Sequence, residues 1–511
     1  MKVDLDPLVL LPVLAPAVGV LLVLLLDAVA PRLPVARPLG VAALVVAAAG
    51  ALPGAIGSAQ SPVRTLCTPH DQTGTCLYVA DPAASSLQIG IIGAVLAVLL
   101  LGSDALRTTG AGAIQPRVRL VGGSAVQVAL LLAAAAGGAG VVAARDLGSW
   151  LVLLELATLP PIGLVALHTG RRTAGAALTL LMTALVSFAL LVVGIALWLT
   201  ATGSATFSTV AARTAAQDPA QRAVLLLAGL TLLAGLGFKL SLVPFHAWTP
   251  TAFTGASLPV AALLATASKL AATGALLVVL TPFAVLAETA VAVHALAAVL
   301  GGLAVVSILF GAVVVLRSND VLRFLAFSTI GQAGWVVLPL AALTGAGRSA
   351  AAGYALTFAA ASLVVFAAVA ATTPDEDGAR ELTAYTSLLR TRPLVGAPLA
   401  LALFVLAGLP PGIIGLVAKI QALRPLVDVA LWPLAVVAVA GVVIGIAAYL
   451  RWVAVLLARP VEDGDVTGAP VSADREAPVG SGRGAATVLG LGSVILVVTS
   501  VVPQLLWGLT R

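Results

Sequence analysis

Apolar stretches of transmembrane length follow one another along almost the whole chain, separated only by Gly, Pro and short charged loops. We read fourteen of them, at about 8–30, 39–56, 88–102, 120–143, 149–168, 174–202, 222–245, 257–281, 288–316, 321–342, 348–371, 393–423, 430–457 and 485–508. In lipid every backbone polar group must be satisfied within the protein, so only helices or closed barrels span. The runs are continuously apolar and do not alternate, which excludes a barrel. The expected fold is therefore an all-α polytopic membrane protein. Composition agrees: 60% of the 511 residues are hydrophobic and only 9% are charged, against about 25% charged in a soluble domain. A net charge of +6 thus implies no nucleic-acid partner; the partner is the lipid membrane.

The loop bases orient the spans. With the N-terminus outside, inner loops hold sixteen basic residues and outer loops eight, the bias of the positive-inside rule. Both termini are then expected outside, and residues 1–32 read as a first span, not a cleaved signal. Two polar loops, 372–392 and 459–484, fall inside, and the second is rich in Gly, Pro and Asp. The loop 57–87 falls outside and holds Cys67 and Cys76, where an oxidising exterior allows a disulfide and two free thiols are the alternative. His70 and His168 lie in loops.

Ionisable groups inside the apolar runs are few. The chain has four Lys, and three are within spans: Lys239, Lys269 and Lys419. One acid lies mid-span, Glu155. Each such group costs roughly 2.5–3.5 kcal/mol to insert, so packing alone does not account for four. Burial can bring an amine to neutral pH, whereas a guanidinium stays charged. A chain that uses Arg everywhere else and Lys at buried sites has the chemistry of proton exchange; snorkelling to an interface is the plain alternative. Helix breakers stand beside two of the amines: Pro244 after Lys239, and Gly408, Pro410, Pro411 and Gly412 before Lys419. Broken backbone at membrane depth is tolerated only inside protein or beside water, and two broken helices in the two halves of a chain point to a transport path. His246, near the first break, and His294, within the ninth run, are candidate relays as well as candidate structural histidines. No Fe–S cysteine set, metal-ligand pattern or phosphate-binding Gly loop is present in the sequence.

The block FKLSLVPFHAWTPTAFTGASLPVAALLATASKLAA, with LLELATLPPIGLVAL before it and RFLAFSTIGQAGW and LAGLPPGIIGLVAK after it, resembles the antiporter-like proton-pumping membrane subunits of respiratory complex I, and most closely the N subunit. These blocks run from about 146 to 425. The resemblance implies fourteen helices with two inverted five-helix repeats and two discontinuous helices: helices 1–3 over 1–119, the first repeat over 120–285, the second over 286–458, and a cytoplasmic loop with the last helix over 459–511. It pairs Glu155 with Lys239, makes Lys269 the connecting lysine, and gives Lys419 to the second broken helix. The M-type subunit has a glutamate at that last position, and an end at Arg511 leaves no room for the lateral helix of the L-type.

Implied too are a bacterial plasma-membrane location and membrane-arm neighbours of the M, K and A/J/H types. The chain itself would bind no cofactor; NADH, FMN, Fe–S clusters and quinone belong to the complex. The alternatives are a subunit of a multi-subunit cation/proton antiporter or membrane hydrogenase, and a non-pumping structural subunit. The last is motivated by departures from the family pattern. Thr179 stands where a lysine is usual, Thr251 and Thr254 where acids are usual, and Gln332 where a histidine is usual.

Overall fold

In the computed structural model, residues 5–31, 33–58, 61–67, 76–105, 123–167, 170–288, 293–372, 381–459 and 482–510 are described. His70, His168, most of the loop 459–484 and residues 373–380 lie outside them. Thirteen helices among the described residues are long and apolar enough to span a membrane, or fourteen when a bent pair is joined. In chain order they are Leu11–Val29, Ala36–Ala55, Pro82–Gly102, Gly123–Val141, Leu147–Ala166, Arg171–Thr202, Pro219–Leu240, Leu258–Ala287, His294–Leu316, Val321–Ala342, Gly345–Thr372, Trp432–Leu457 and Arg483–Val501. The bent pair is Leu382–Thr391 with Pro393–Ala407, between the eleventh and twelfth of these, and a second half-length helix, Ile413–Asp428, follows it.

The expected spans correspond to these helices, with shifts at several ends. The third begins six residues earlier than the apolar run suggests, at Pro82. Asp81 accepts the Ala84 amide proton at 2.8 Å and starts the helix through the polar stretch Ser85–Gln88. The ninth begins at His294 and not at 288, because the preceding helix continues to Glu288. The seventh ends at Leu240, and a short helix, Trp248–Gly255, follows it. The run expected over 257–281 is interrupted at Thr266, with φ −120° and ψ −82°, between Leu258–Ala265 and Ala267–Glu288.

One end of the bundle carries an antiparallel hairpin, Val63–Cys67 with Cys76–Ala80, where the sequence pattern suggests only a loop. Cys67 and Cys76 are joined there in a disulfide. Tyr78 pairs with Ala144, and Asp146 with Thr206, at this same end. The Asp6 amide donates to Thr65 Oγ1 (2.8 Å), and Ser86 Oγ donates to the Leu509 carbonyl (2.6 Å). The first and last described residues therefore share the hairpin end. At the opposite end Asp320 pairs with Glu381, and Arg451 donates to the Leu316 carbonyl (2.7 Å) and to Ser318.

The protein core follows the middle of the bundle. The best apolar window of Val321–Ala342 is wholly buried, whereas that of Leu11–Val29 is 22% buried and that of Trp432–Leu457 is 28% buried. Small residues let the inner helices meet closely. A Cβ on Gly137 would come within 2.4 Å of the Ala157 amide, so the glutamate helix Leu147–Ala166 lies backbone to backbone against Gly123–Val141.

Candidate functional site: a buried carboxylate and three buried amines

Asp146 starts the glutamate helix by accepting the Ser149 amide proton at 2.8 Å. Two turns further in stands Glu155. Its Oε1 accepts from Lys239 Nζ at 2.9 Å, and Thr158 Oγ1, on the next turn of the same helix, accepts from the same amine at 2.8 Å. The side chains of Glu155 and Lys239 are 14% and 5% exposed, so this ion pair is held inside the protein. Lys239 occupies the last turn of Pro219–Leu240. The partial negative charge at a helix C-terminus favours a cation there, and the break just beyond supplies further acceptors.

The break is built by Ser241 in the left-handed region (φ 66°) and a cis Val243–Pro244 bond. Past it, the helical hydrogen-bond ladder no longer uses the Lys239 carbonyl. Lys269 Nζ takes that position, donating to the Lys239 carbonyl at 2.8 Å and to Ser241 Oγ at 2.6 Å. Thr249 Oγ1 in turn donates to Ser241 Oγ at 2.7 Å. The ammonium lies 4.6 Å from the centre of the Trp248 ring, and the Trp248 indole N–H is held by the Phe238 carbonyl at 2.7 Å. Glu155, Lys239 and Lys269 are thus joined by consecutive hydrogen bonds. A cavity of about 30 Å3 flanks Lys239, with Thr158, Thr183, Ser187 and Ser268 in its wall; that is room for about two waters.

The second break has a similar construction. Gly408 (φ 79°) ends Pro393–Ala407, a cis Pro410–Pro411 bond follows, and Ile413–Asp428 begins. Lys419 reaches back across the break and donates to the Leu406 carbonyl at 2.7 Å. It lies 5.7 Å from the centre of the Trp335 ring. Each broken helix therefore leaves a carbonyl that a buried amine fills, and two of the three amines rest on an indole face. All three lysines are buried, at 7%, 3% and 6% exposure in chain order. Snorkelling does not describe them.

The two histidines are placed differently. His246 lies in the first break, half-buried, with its ring against Phe310 (centroids 4.6 Å); the hydrogen bonds of the three amines go elsewhere. His294 is the first residue of its helix and is exposed. Its expected position within a span is corrected by the later start of that helix.

Thr179 donates to the Gly175 carbonyl of its own helix at 2.8 Å, Thr254 does the same to Pro250 (2.8 Å), and Thr251 is exposed. Gln332 is buried and central. It is bonded to Tyr354, Tyr449 and the Leu406 carbonyl. Sequence reasoning does not find Thr158, Ser241, Tyr354 or Tyr449. For the tyrosines a signal exists: the chain has only four, and these two sit inside apolar runs.

Residues 144–445 match the family described as NADH:quinone oxidoreductase/Mrp antiporter, TM. Among curated relatives, "NADH-quinone oxidoreductase subunit N 2" of Streptomyces griseus is 34% identical over 86% of this chain and 81% of its own length. "NADH-quinone oxidoreductase subunit N" of Salinispora tropica is 36% identical over 88% and 85%. A chain of respiratory complex I from Thermus thermophilus, solved with bound aureothin, superposes with a TM-score of 0.74 at 26% identity, covering 97% of this chain and 98% of that one. A chain of the Mrp complex from Dietzia sp. shares the fold, with a TM-score of 0.78 at 20% identity over 99% and 96%. The resemblance seen in the sequence blocks is therefore borne out: this multi-pass membrane chain belongs to the NADH:quinone oxidoreductase/Mrp antiporter transmembrane family, with relatives that are N subunits of NADH-quinone oxidoreductase.

Proposed function

We propose that this chain is the proton-translocating N-type membrane subunit of an NADH:quinone oxidoreductase, coupling electron transfer from NADH to quinone to proton pumping. The observation that carries the reading is the Glu155–Lys239–Lys269 set, a carboxylate paired with one buried amine and a second buried amine held on the main-chain carbonyl of Lys239 at a helix break inside the bundle. In this reading the redox chemistry belongs to partner subunits, which hold the flavin and iron–sulfur clusters. This chain sits beside membrane-arm neighbours in a bacterial plasma membrane, with the hairpin end outside. The four groups lie in the two inverted repeats, the first contributing Glu155, Lys239 and Lys269 and the second Lys419.

The mechanism follows from charge. A buried ion pair is stable as a pair, and removing one partner leaves an uncompensated charge in apolar surroundings. While Glu155 is ionised it stabilises the ammonium form of Lys239. Neutralising or withdrawing the carboxylate releases that hold, and a proton moves toward Lys269 and then toward Lys419. Waters in the flanking cavities and hydroxyls such as Ser241 and Thr158 serve as carriers. The test replaces Lys239 or Lys419 by Met in the assembled complex and measures protons pumped per electron in vesicles. We expect the ratio to fall; an unchanged ratio returns the chain to a structural role.

A second reading is a cation/proton antiporter subunit using the same groups without a redox partner. The fold shared with the Mrp chain favours it. Purification in mild detergent separates the two: flavin and iron–sulfur subunits accompany the chain in the first, a set of small membrane subunits in the second.

A further inference from the structure

Beyond Lys419 the hydrogen bonds of Gln332 have a fixed direction. Lys419 Nζ donates to the Leu406 carbonyl at 2.7 Å, and Gln332 Nε2 donates to the same oxygen at 3.2 Å. A carbonyl only accepts, so the amide must turn its nitrogen toward Leu406 and its oxygen away. Oε1 then accepts the Tyr354 hydroxyl proton at 2.6 Å. Nε2 gives its other proton to the Tyr449 oxygen at 2.9 Å. Tyr449 Oη also shares a hydrogen bond with Ser328 Oγ, 2.6 Å away, in which either hydroxyl can donate. Two tyrosines thus bond one amide with opposite polarity.

That difference decides where a proton can go. Passage through the amide would require protonating Oε1 while stripping Nε2, an imidic acid that nothing around it stabilises. A hydroxyl has no such barrier, because it accepts on oxygen while passing on its own proton. Beside Lys419 lies a cavity of about 30 Å3 with Ser328, Gln332, Leu406, Gly445 and Tyr449 in its wall, room for about two waters. Tyr449 stands near the end of Trp432–Leu457, two residues before Arg451, whose bonds mark the end of the bundle opposite the hairpin.

We propose that Tyr449 is the proton-relay residue for Lys419, and that Gln332 is a positioning residue that bars the Tyr354 side. The proposal rests on the proton-translocation reading above. In the step, which is uptake, a proton arriving from the Arg451 end passes to Ser328 Oγ, and the Ser328 proton passes to Tyr449 Oη. The Tyr449 proton passes to a cavity water, and a proton of that water passes to the neutral Lys419 Nζ. Each hydroxyl ends with one proton, as it began.

Tyr449→Phe and Tyr354→Phe each remove one hydroxyl bonded to Gln332, so a purely structural role affects both alike. A relay does not. In the intact complex reconstituted in vesicles, at matched NADH oxidation, Tyr449→Phe lowers the initial pumping rate by roughly tenfold or more, while Tyr354→Phe leaves it unchanged. Equal losses, or a loss in Tyr354→Phe alone, overturn the relay. Should Tyr449→Phe fail to assemble, Ser328→Ala interrupts the same path one hydroxyl further on and is judged the same way. For Gln332 the readout is the pH profile. Gln332→His puts an ionisable relay where the amide stood, so the pH profile of pumping gains an ionisation that the parent lacks; an unchanged profile overturns the barrier. Lys419→Met separates the two levels: if it pumps like the parent, the translocation reading has failed. If it stops pumping while Tyr449→Phe does not slow, only the relay has.

Discussion

Glu155 and Lys239 show how much one buried pair holds in place. The carboxylate sits on one helix and the amine on another, 84 positions apart in sequence, and they meet at 2.9 Å. Breaking a buried pair by deleting one partner costs about 3–5 kcal/mol, because the survivor stays charged and dry, whereas replacing both partners by apolar groups is often neutral. Glu155→Ala is therefore expected to lower the thermal midpoint of the detergent-solubilised complex, and the double variant Glu155→Ala/Lys239→Met is expected to regain most of the loss. Additive losses in a double-mutant cycle would mean that the two groups do not act as a pair. Both residues were legible in the sequence, because a charge at membrane depth is costly and is retained where it is paired or where it works. Their companions were not. Thr158 and Ser241 are ordinary helix and loop residues by composition, and only the fold shows that their hydroxyls face an amine.

The broken helices carry the next level of design. At the second break Ile413–Asp428 starts almost against the backbone of the preceding half-helix. A Cβ on Gly415 would lie 1.9 Å from the Val405 carbonyl oxygen, and one on Gly412 would lie 2.4 Å from the Val405 nitrogen. Backbone cannot yield as the tip of a side chain can, so Gly415→Ala must push the two halves apart and draw Lys419 from the Leu406 carbonyl. We expect this variant to lose pumping or assembly with every charged group still present. Gly490→Ala, at an exposed position where a Cβ meets nothing within 4 Å, is the control and is expected to behave as the parent; equal behaviour of the two variants would refute the close-approach account. Pro and Gly made both of these breaks legible from sequence. The break at Thr266 was not, since LLATASKL contains neither residue and the only nearby Pro, Pro259, lies at the start of its helix, where it is tolerated. The hairpin is hidden from sequence for a related reason. Two five-residue strands around a disulfide have too little pattern of their own, and they are held by Ala143 and Arg145 of the chain beyond, whose backbone meets Val79 and Leu77.

At the scale of the whole molecule, topology and charge support the proposed orientation. The described chain starts and finishes at the hairpin end. Arg317, Arg323, Arg390, Arg392 and Arg451 gather at the other end, around the paired Asp320 and Glu381. Bases retained near span ends favour the cytoplasm; the orientation proposed above accordingly has the hairpin facing outward, with its disulfide in the oxidising compartment. Two exposed alanines turn this into a measurement. Ala205 lies in the segment whose backbone accepts from Leu147 at the hairpin end, and Ala384 lies in the turn after Glu381 at the other. With both native cysteines kept in their disulfide, a membrane-impermeant thiol reagent added to intact cells is expected to label Ala205→Cys at once and Ala384→Cys only after the cells are opened. The reverse pattern would invert the molecule. It would also turn the Tyr449 side of Lys419 outward and exchange uptake for release along the buried axis, while leaving each hydrogen bond of that axis as it stands.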